Sequence, residues 1–264
     1  MEMLKIFQEH IDTLYKYREL IANLVGKDLK ARYRGSAMGM MWTFLNPLLL
    51  LLVYALVFSV YMRVQVQNYA VFVFSGLLPW IWFSSSLLDW VNSITASGAL
   101  ITKSMFPAEI LPMVKVIANM VNYLFSLPLL LIFMVVYGVP ITLSVMWLPL
   151  IAFAQLLFTI GLVYVFSALN VRFRDVQHIL NNFLVLWFFL CPIIYPISQT
   201  PEKWRFTFYL NPMATLSIAY QDIFVSGKTP NLVMLLALLV VGLAITLFGF
   251  SQFDRYKESF AEEI

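Results

Sequence analysis

Charge is what this 264-residue chain has least of: 12% of its residues are charged, against about a quarter in an ordinary soluble domain. With 61% hydrophobic residues, there is too little polar surface for a separate water-exposed domain, so the bilayer is the solvent to reason about. The single cysteine, Cys191, excludes an intrachain disulfide and lies in an apolar run, as a small buried or lipid-facing hydrophobe would. The two histidines, His10 and His178, stand alone without metal-ligand spacing. Gly26-Lys27 lacks both the earlier glycine and the following Ser or Thr of a phosphate-binding P-loop, which excludes ATP hydrolysis by that route. A formal charge of +3 is too small to suggest nucleic-acid binding. No apolar run precedes Trp42, so a cleavable leader is not expected.

Long uncharged runs are what is present. Crossing about 30 Å of hydrocarbon takes roughly 20 helical residues. Six segments are long enough, at about 42–61, 70–88, 116–137, 147–169, 179–197 and 232–251, so one all-α membrane domain is predicted over 1–264. The third and fourth share one uncharged stretch, and Gly138-Val139-Pro140 supplies the turn between them. Seven Lys and Arg precede the first span, and alternate segments after it bring that side to thirteen, against four on the other side. The positive-inside rule therefore puts both termini in the cytoplasm. Trp42, Trp147 and Trp204 fall near the expected water boundaries. Pro79 and Pro128 predict kinks, because each removes a backbone donor from its helix.

Three segments neither span nor dissolve. Leu14, Tyr17, Ile21, Leu24 and Val25 recur at helical spacing and predict an amphipathic interface helix, within a cytoplasmic region 1–41. After it, Asp28, Lys30, Arg32 and Arg34 crowd the membrane edge, either to set topology and touch anionic lipid or to dock a partner or a phosphate. Residues 92–112 are too apolar for a solvated loop, which favours a short helix broken at Pro107 and covered by a partner. In 198–231 an uncharged run is interrupted by Asn211-Pro212, predicting two short re-entrant helices, as a gate or as plain interface packing.

No charged residue lies within the six predicted cores; Asp89, Lys115 and Asp222 sit near ends, where snorkelling suffices. That weakens an ion-coupled transporter. Aromatic side chains are the surface the spans do offer. Phe44, Tyr54, Phe58 and Tyr61 fall near one face of the first span, and Phe183, Trp187, Phe188 and Tyr195 cluster on the fifth. Such rings stack on sugars, and they equally serve packing or lipid contact.

DLKARYRGSAMGMMWTFLNPLL from Asp28, KSMFPAEILP from Lys103, NVRFRDVQHILNNFL from Asn170, WFFLCPIIYP from Trp187 and YLNPMATLSIAYQDIFVSG from Tyr209 together resemble the ABC-2 type permeases that export bacterial polysaccharides, O-antigen, capsule and teichoic acid among them. The resemblance implies a homodimer of six-span subunits in the bacterial inner membrane, docked to two copies of a cytoplasmic ATPase that binds the ATP and magnesium. This chain would hold no cofactor or metal. It also implies an undecaprenyl-pyrophosphate-linked glycan as cargo, O-antigen first and capsule or teichoic acid as the alternative. By the same resemblance Tyr17, Asp28, Lys30, Lys103, Phe106, Pro107 and Glu109 would meet the ATPase. Arg32 and Arg34 would attract the lipid pyrophosphate, the aromatic residues of the first and fifth spans would line the path, and Trp204, Tyr209, Asn211, Pro212 and Tyr220 would belong to a periplasmic gate within 198–231. A membrane transferase acting on a lipid-linked sugar is the competing class, with Asp175 and His178 the nearest thing to an acid–base pair.

Overall fold

The computed structural model describes residues 2–32, 34–64, 66–103, 109–173 and 175–256, without the side chains of 2–5, 91–103 and 171–172. Every regular element among them is helical. Two N-terminal helices, α1 (Glu2–Lys16) and α2 (Arg18–Arg32), precede α3 (Trp42–Tyr54), which runs on into a wider π-helical stretch, Ala55–Tyr61. Then come α4 (Tyr69–Lys103), α5 (Ile110–Val136), α6 (Leu148–Arg172), α7 (Val176–Phe189), the short α8 (Phe206–Leu210) and α9 (Pro212–Gln221), and α10 (Leu232–Tyr256). Pro79 and Pro128 both lie inside continuous helices. Gly138, at φ +68°, makes the reversal between α5 and α6 that a side chain would resist.

Five helices among the described residues are long and apolar enough to cross a membrane. The predicted fifth span differs: α7 has 14 residues and ends at Phe189, which at 1.5 Å per residue covers only about 21 Å. Pro192 and Pro196 explain the stop, since each lacks a backbone donor and disfavours helical geometry in the residue before it. The chain from Cys191 to Ile194 is buried without being helical, which is tolerated at membrane depth only where other groups satisfy the bare backbone. Here they do: Tyr69 Oη donates to the Ile194 carbonyl (2.7 Å), Gln221 Nε2 to that of Pro192 (2.7 Å) and Asn211 Nδ2 to that of Leu190 (3.3 Å). A second difference is the length of α4, which continues to Lys103 where the sequence suggested a separate short helix.

The centre of the bundle is α4, in which every residue from 69 to 80 is buried, the signature of a helix apolar on all sides. Around it the helices group unevenly. α6 and α10 pack through glycines so closely that a Cβ on Gly249 would lie 2.5 Å from the Gly161 carbonyl oxygen, and one on Gly161 would lie 2.6 Å from the Ile245 backbone. Small residues permit this approach where lipid supplies no hydrophobic drive between helices. Thr246 Oγ1 adds a hydrogen bond across the seam to the Leu157 carbonyl (2.7 Å). His10 of α1 stacks on Phe250 of α10 at 4.3 Å, while Ile21 and Val25 of α2 pack against Ile110, Val114 and Ala118 of α5. By contrast α3 buries one stripe only, Thr43, Pro47 and Leu51, spaced four apart.

Candidate functional site

Where α2 meets α4 and α5, five side chains make one polar cluster. Arg32 donates from Nε to Asp28 (3.0 Å), from one terminal nitrogen to Asn119 Oδ1 (2.9 Å) and from the other to Asp89 (2.7 Å). Asn119 Nδ2 reaches the same Asp89 oxygen (3.0 Å), and Lys115 pairs with the second oxygen of Asp28. Two carboxylates thus face two cations, and the guanidinium fork is matched on each edge. Each partner stands on a different helix turn, so the cluster clasps α2 to the bundle. Asp89 and Lys115, which sequence alone would leave to snorkelling, are used here as partners. Arg34 follows in the exposed turn after α2.

Between α3, α4 and α7 runs an open groove of about 620 Å3. Its aromatic wall joins Tyr54 to Phe188 (stacked, 5.3 Å) and Phe188 to Trp80 (edge to face, 5.5 Å), and Asn46, Ser84 and Asn181 give it polar points. Phe83 and Trp187 meet edge to face behind it at 5.2 Å. The two predicted aromatic stripes therefore do converge, at Tyr54 and Phe188. Phe58 packs beside Tyr54 at 6.5 Å and Phe183 beside Trp187 at 5.2 Å. Phe44 and Tyr61 are exposed instead, at 37% and 73%. Trp80, Asn46 and Asn181 also line the groove and were not singled out in the sequence; for the two asparagines, a polar residue inside an apolar run was the available signal.

At the far end of α7, Asn211 joins several elements. Its Oδ1 accepts from the Trp187 indole (2.8 Å) and from the backbone N–H of Met213 and Ala214, capping α9, whose first residue is Pro212. Tyr195 donates to the Phe189 carbonyl (2.7 Å), and its ring lies 6.3 Å from that of Phe208 in α8. Tyr220 is buried edge to face against Tyr123 (6.1 Å), Tyr209 is half-exposed, and Trp204 is exposed with Lys203 5.8 Å above its ring. Among the residues suggested for partner contact, Tyr17 packs against the α2–α5 core, Lys30 is exposed, and the Glu109 carbonyl accepts from Tyr164 Oη (2.5 Å). Phe106 and Pro107 lie outside the described residues, as does the Lys103 side chain. Asp175 and His178 are both exposed at the start of α7.

Five helices long and apolar enough to cross a membrane, with an aromatic groove between α3, α4 and α7, have the architecture of an integral membrane protein. The family model for ABC-2 type transporters matches residues 19–225. The chain belongs to that family. It is 45% identical over 253 residues to the O-antigen export system permease protein RfbA of Myxococcus xanthus, covering 95% of this chain and 97% of that protein. Two proteins of the same description from Klebsiella pneumoniae are 37% and 35% identical over 245 residues, each match covering 92% of this chain and 94% of the relative.

Proposed function

We propose that this chain is the membrane permease of an ATP-driven exporter that carries undecaprenyl-pyrophosphate-linked O-antigen from the cytoplasm to the periplasm. The observation that carries the reading is the end-to-end likeness to relatives named as O-antigen export permeases, and the groove lined by Tyr54, Trp80 and Phe188 gives it a physical route. Stacked rings hold any sugar face weakly, which suits a polymer that must slide. The subunit works as a homodimer in the bacterial inner membrane with both termini cytoplasmic, the segment 179–197 serving as the fifth of six crossings. Two copies of a separate ATPase bind the ATP and magnesium and dock on α2 and the 93–112 segment.

Closure of the ATPase then presses on α2 and on the chain entering α5. The clasp makes these two one lever, and a shift of rigid helices opens or shuts the path. Arg32 is engaged within the clasp, so attraction of the pyrophosphate falls to exposed Arg34 at the entrance. On the outer side α8, α9 and the surrounding 198–231 chain form the gate, linked to the groove wall by Asn211. Reconstituting the chain with its ATPase in liposomes, with lipid-linked O-antigen inside or outside, tests the reading. Movement that requires ATP and the partner, and that falls severalfold in a Tyr54→Leu, Trp80→Leu variant, is expected. Movement or chemical modification of the glycan by this chain alone would sink it in favour of a transferase.

A further inference from the structure

Between α3, α4 and α5, above the clasp, lies a second cavity of about 110 Å3, which shares Asn46, Ile81 and Ser85 with the groove. Its polar lining differs in kind from the groove's rings. Asn119 and Arg32 are spent in the clasp, and Ser126 donates to the Asn122 carbonyl. Three groups remain: the amides of Asn46 and Asn122 and the Ser85 hydroxyl, the Tyr123 hydroxyl being engaged with that of Tyr220. Amides and hydroxyls held among apolar helices without partners forgo hydrogen bonds that a ligand can supply.

The charge at this cavity selects the ligand. Arg32 is its one cation, and every edge of that guanidinium is met by Asp28, Asn119 or Asp89, with Lys115 balancing the second carboxylate. An anion would find no net positive charge there and would approach two carboxylates. A polyol would find two amides that each donate and accept, the Ser85 hydroxyl, and the Trp42 ring. Resting on the export reading above, we infer that this cavity seats one uncharged sugar of the glycan, separately from the site that holds the pyrophosphate.

The test uses the complex of this chain with its ATPase in lipid nanodiscs and two probes, undecaprenyl pyrophosphate with and without an attached O-antigen oligosaccharide. Asn46→Leu and Asn122→Leu keep side-chain size but remove hydrogen bonding, and Ser85→Ala is a smaller perturbation that spares the fold. Each Asn variant is expected to weaken binding of the sugar-bearing lipid about five- to tenfold and to bind the bare lipid as the unaltered complex does. The bare-lipid measurement thereby reports an intact fold. Equal weakening of both probes would make the cavity an anion site, and no weakening of either, with Ser85→Ala also silent, would leave it without a sugar; either overturns the inference alone. If the unaltered complex bound the two probes identically, the glycan reading itself would fall with it.

Discussion

Asp28 sits at the junction of two ion pairs, so reversing its charge is the sharpest test of the clasp. Its side chain is 15% exposed, and those of Arg32 and Lys115 are 24% and 21% exposed, which places the cluster between a surface pair, worth about 0–1 kcal/mol, and a buried one, whose rupture costs about 3–5 kcal/mol. Partial solvent screening argues for about 2 kcal/mol on replacing Asp28 by Asn. Asp28→Lys alone should cost more, because three cations then face Asp89. Lys115→Asp alone sets two carboxylates side by side and should cost a similar amount. Together the two changes restore an α2–α5 pair of opposite sign. Recovery should be partial, since Arg32 still loses its partner four residues back. A coupling of at least about 1 kcal/mol is therefore expected from the cycle. Tryptophan fluorescence during denaturation of the purified permease in detergent measures stability, and surface O-antigen in cells measures the lever. Losses that simply add, within about 0.5 kcal/mol, would mean that these charges do not act on one another, and the transmission argument would go with them.

Three further outcomes follow from the packing. Gly249→Ala must drive α6 from α10, because its Cβ would fall 2.5 Å from the Gly161 carbonyl oxygen; a loss of about 1–3 kcal/mol is expected, and unchanged thermal stability in detergent would contradict the close seam. Asn211→Asp keeps the oxygen that caps α9 but loses donation to the Leu190 carbonyl, so it should stabilise less than Asn yet more than Ala, a ranking that protease sensitivity of the 198–231 region can read. Burial raises the pKa of Asp222, partly offset by Lys228; the folded state then holds this proton more tightly than the unfolded chain does. That contribution to stability is complete below the ordinary carboxylate value and is lost as pH rises through the raised one. Midpoints across acidic pH should show this decline, and Asp222→Asn should remove it.

What was legible in the sequence follows from which forces are local. Hydrophobic length marked the spans, and the reversal at Gly138 was legible because a positive φ there needs glycine. Helical spacing placed Tyr54, Trp187 and Phe188 on common faces, and two of them meet in the groove. Length could not reveal that α7 stops at Phe189, because Ile193 and Ile194 are as apolar as a helix would require. Their burial without helical bonds depends on Tyr69 and Gln221, residues distant in the chain. Asp89 and Lys115 were misjudged for the same reason. A charge near a helix end looks like one that reaches for water until the neighbouring helix, and Arg32 on it, is known.

The uneven packing indicates which part of the bundle is free to move. α6 and α10 are locked by glycine contact and a cross-seam hydrogen bond, and α2, α4 and α5 are joined by the clasp. Among the described residues α3 shows neither of these two devices. It buries Thr43, Pro47 and Leu51 and leaves Leu49, Leu50, Leu52 and Val53 exposed. The side-chain hydrogen bond from Ser126 Oγ of α5 to the Thr43 carbonyl is 3.5 Å long, at the weak limit. Yet α3 carries Tyr54 and Asn46, one wall of the groove and part of the cavity beside it. Rolling α3 about its single buried stripe changes the width of both spaces and leaves the clasp and the α6–α10 seam intact. Substitutions that enlarge its buried stripe are therefore expected to slow transport before they alter binding.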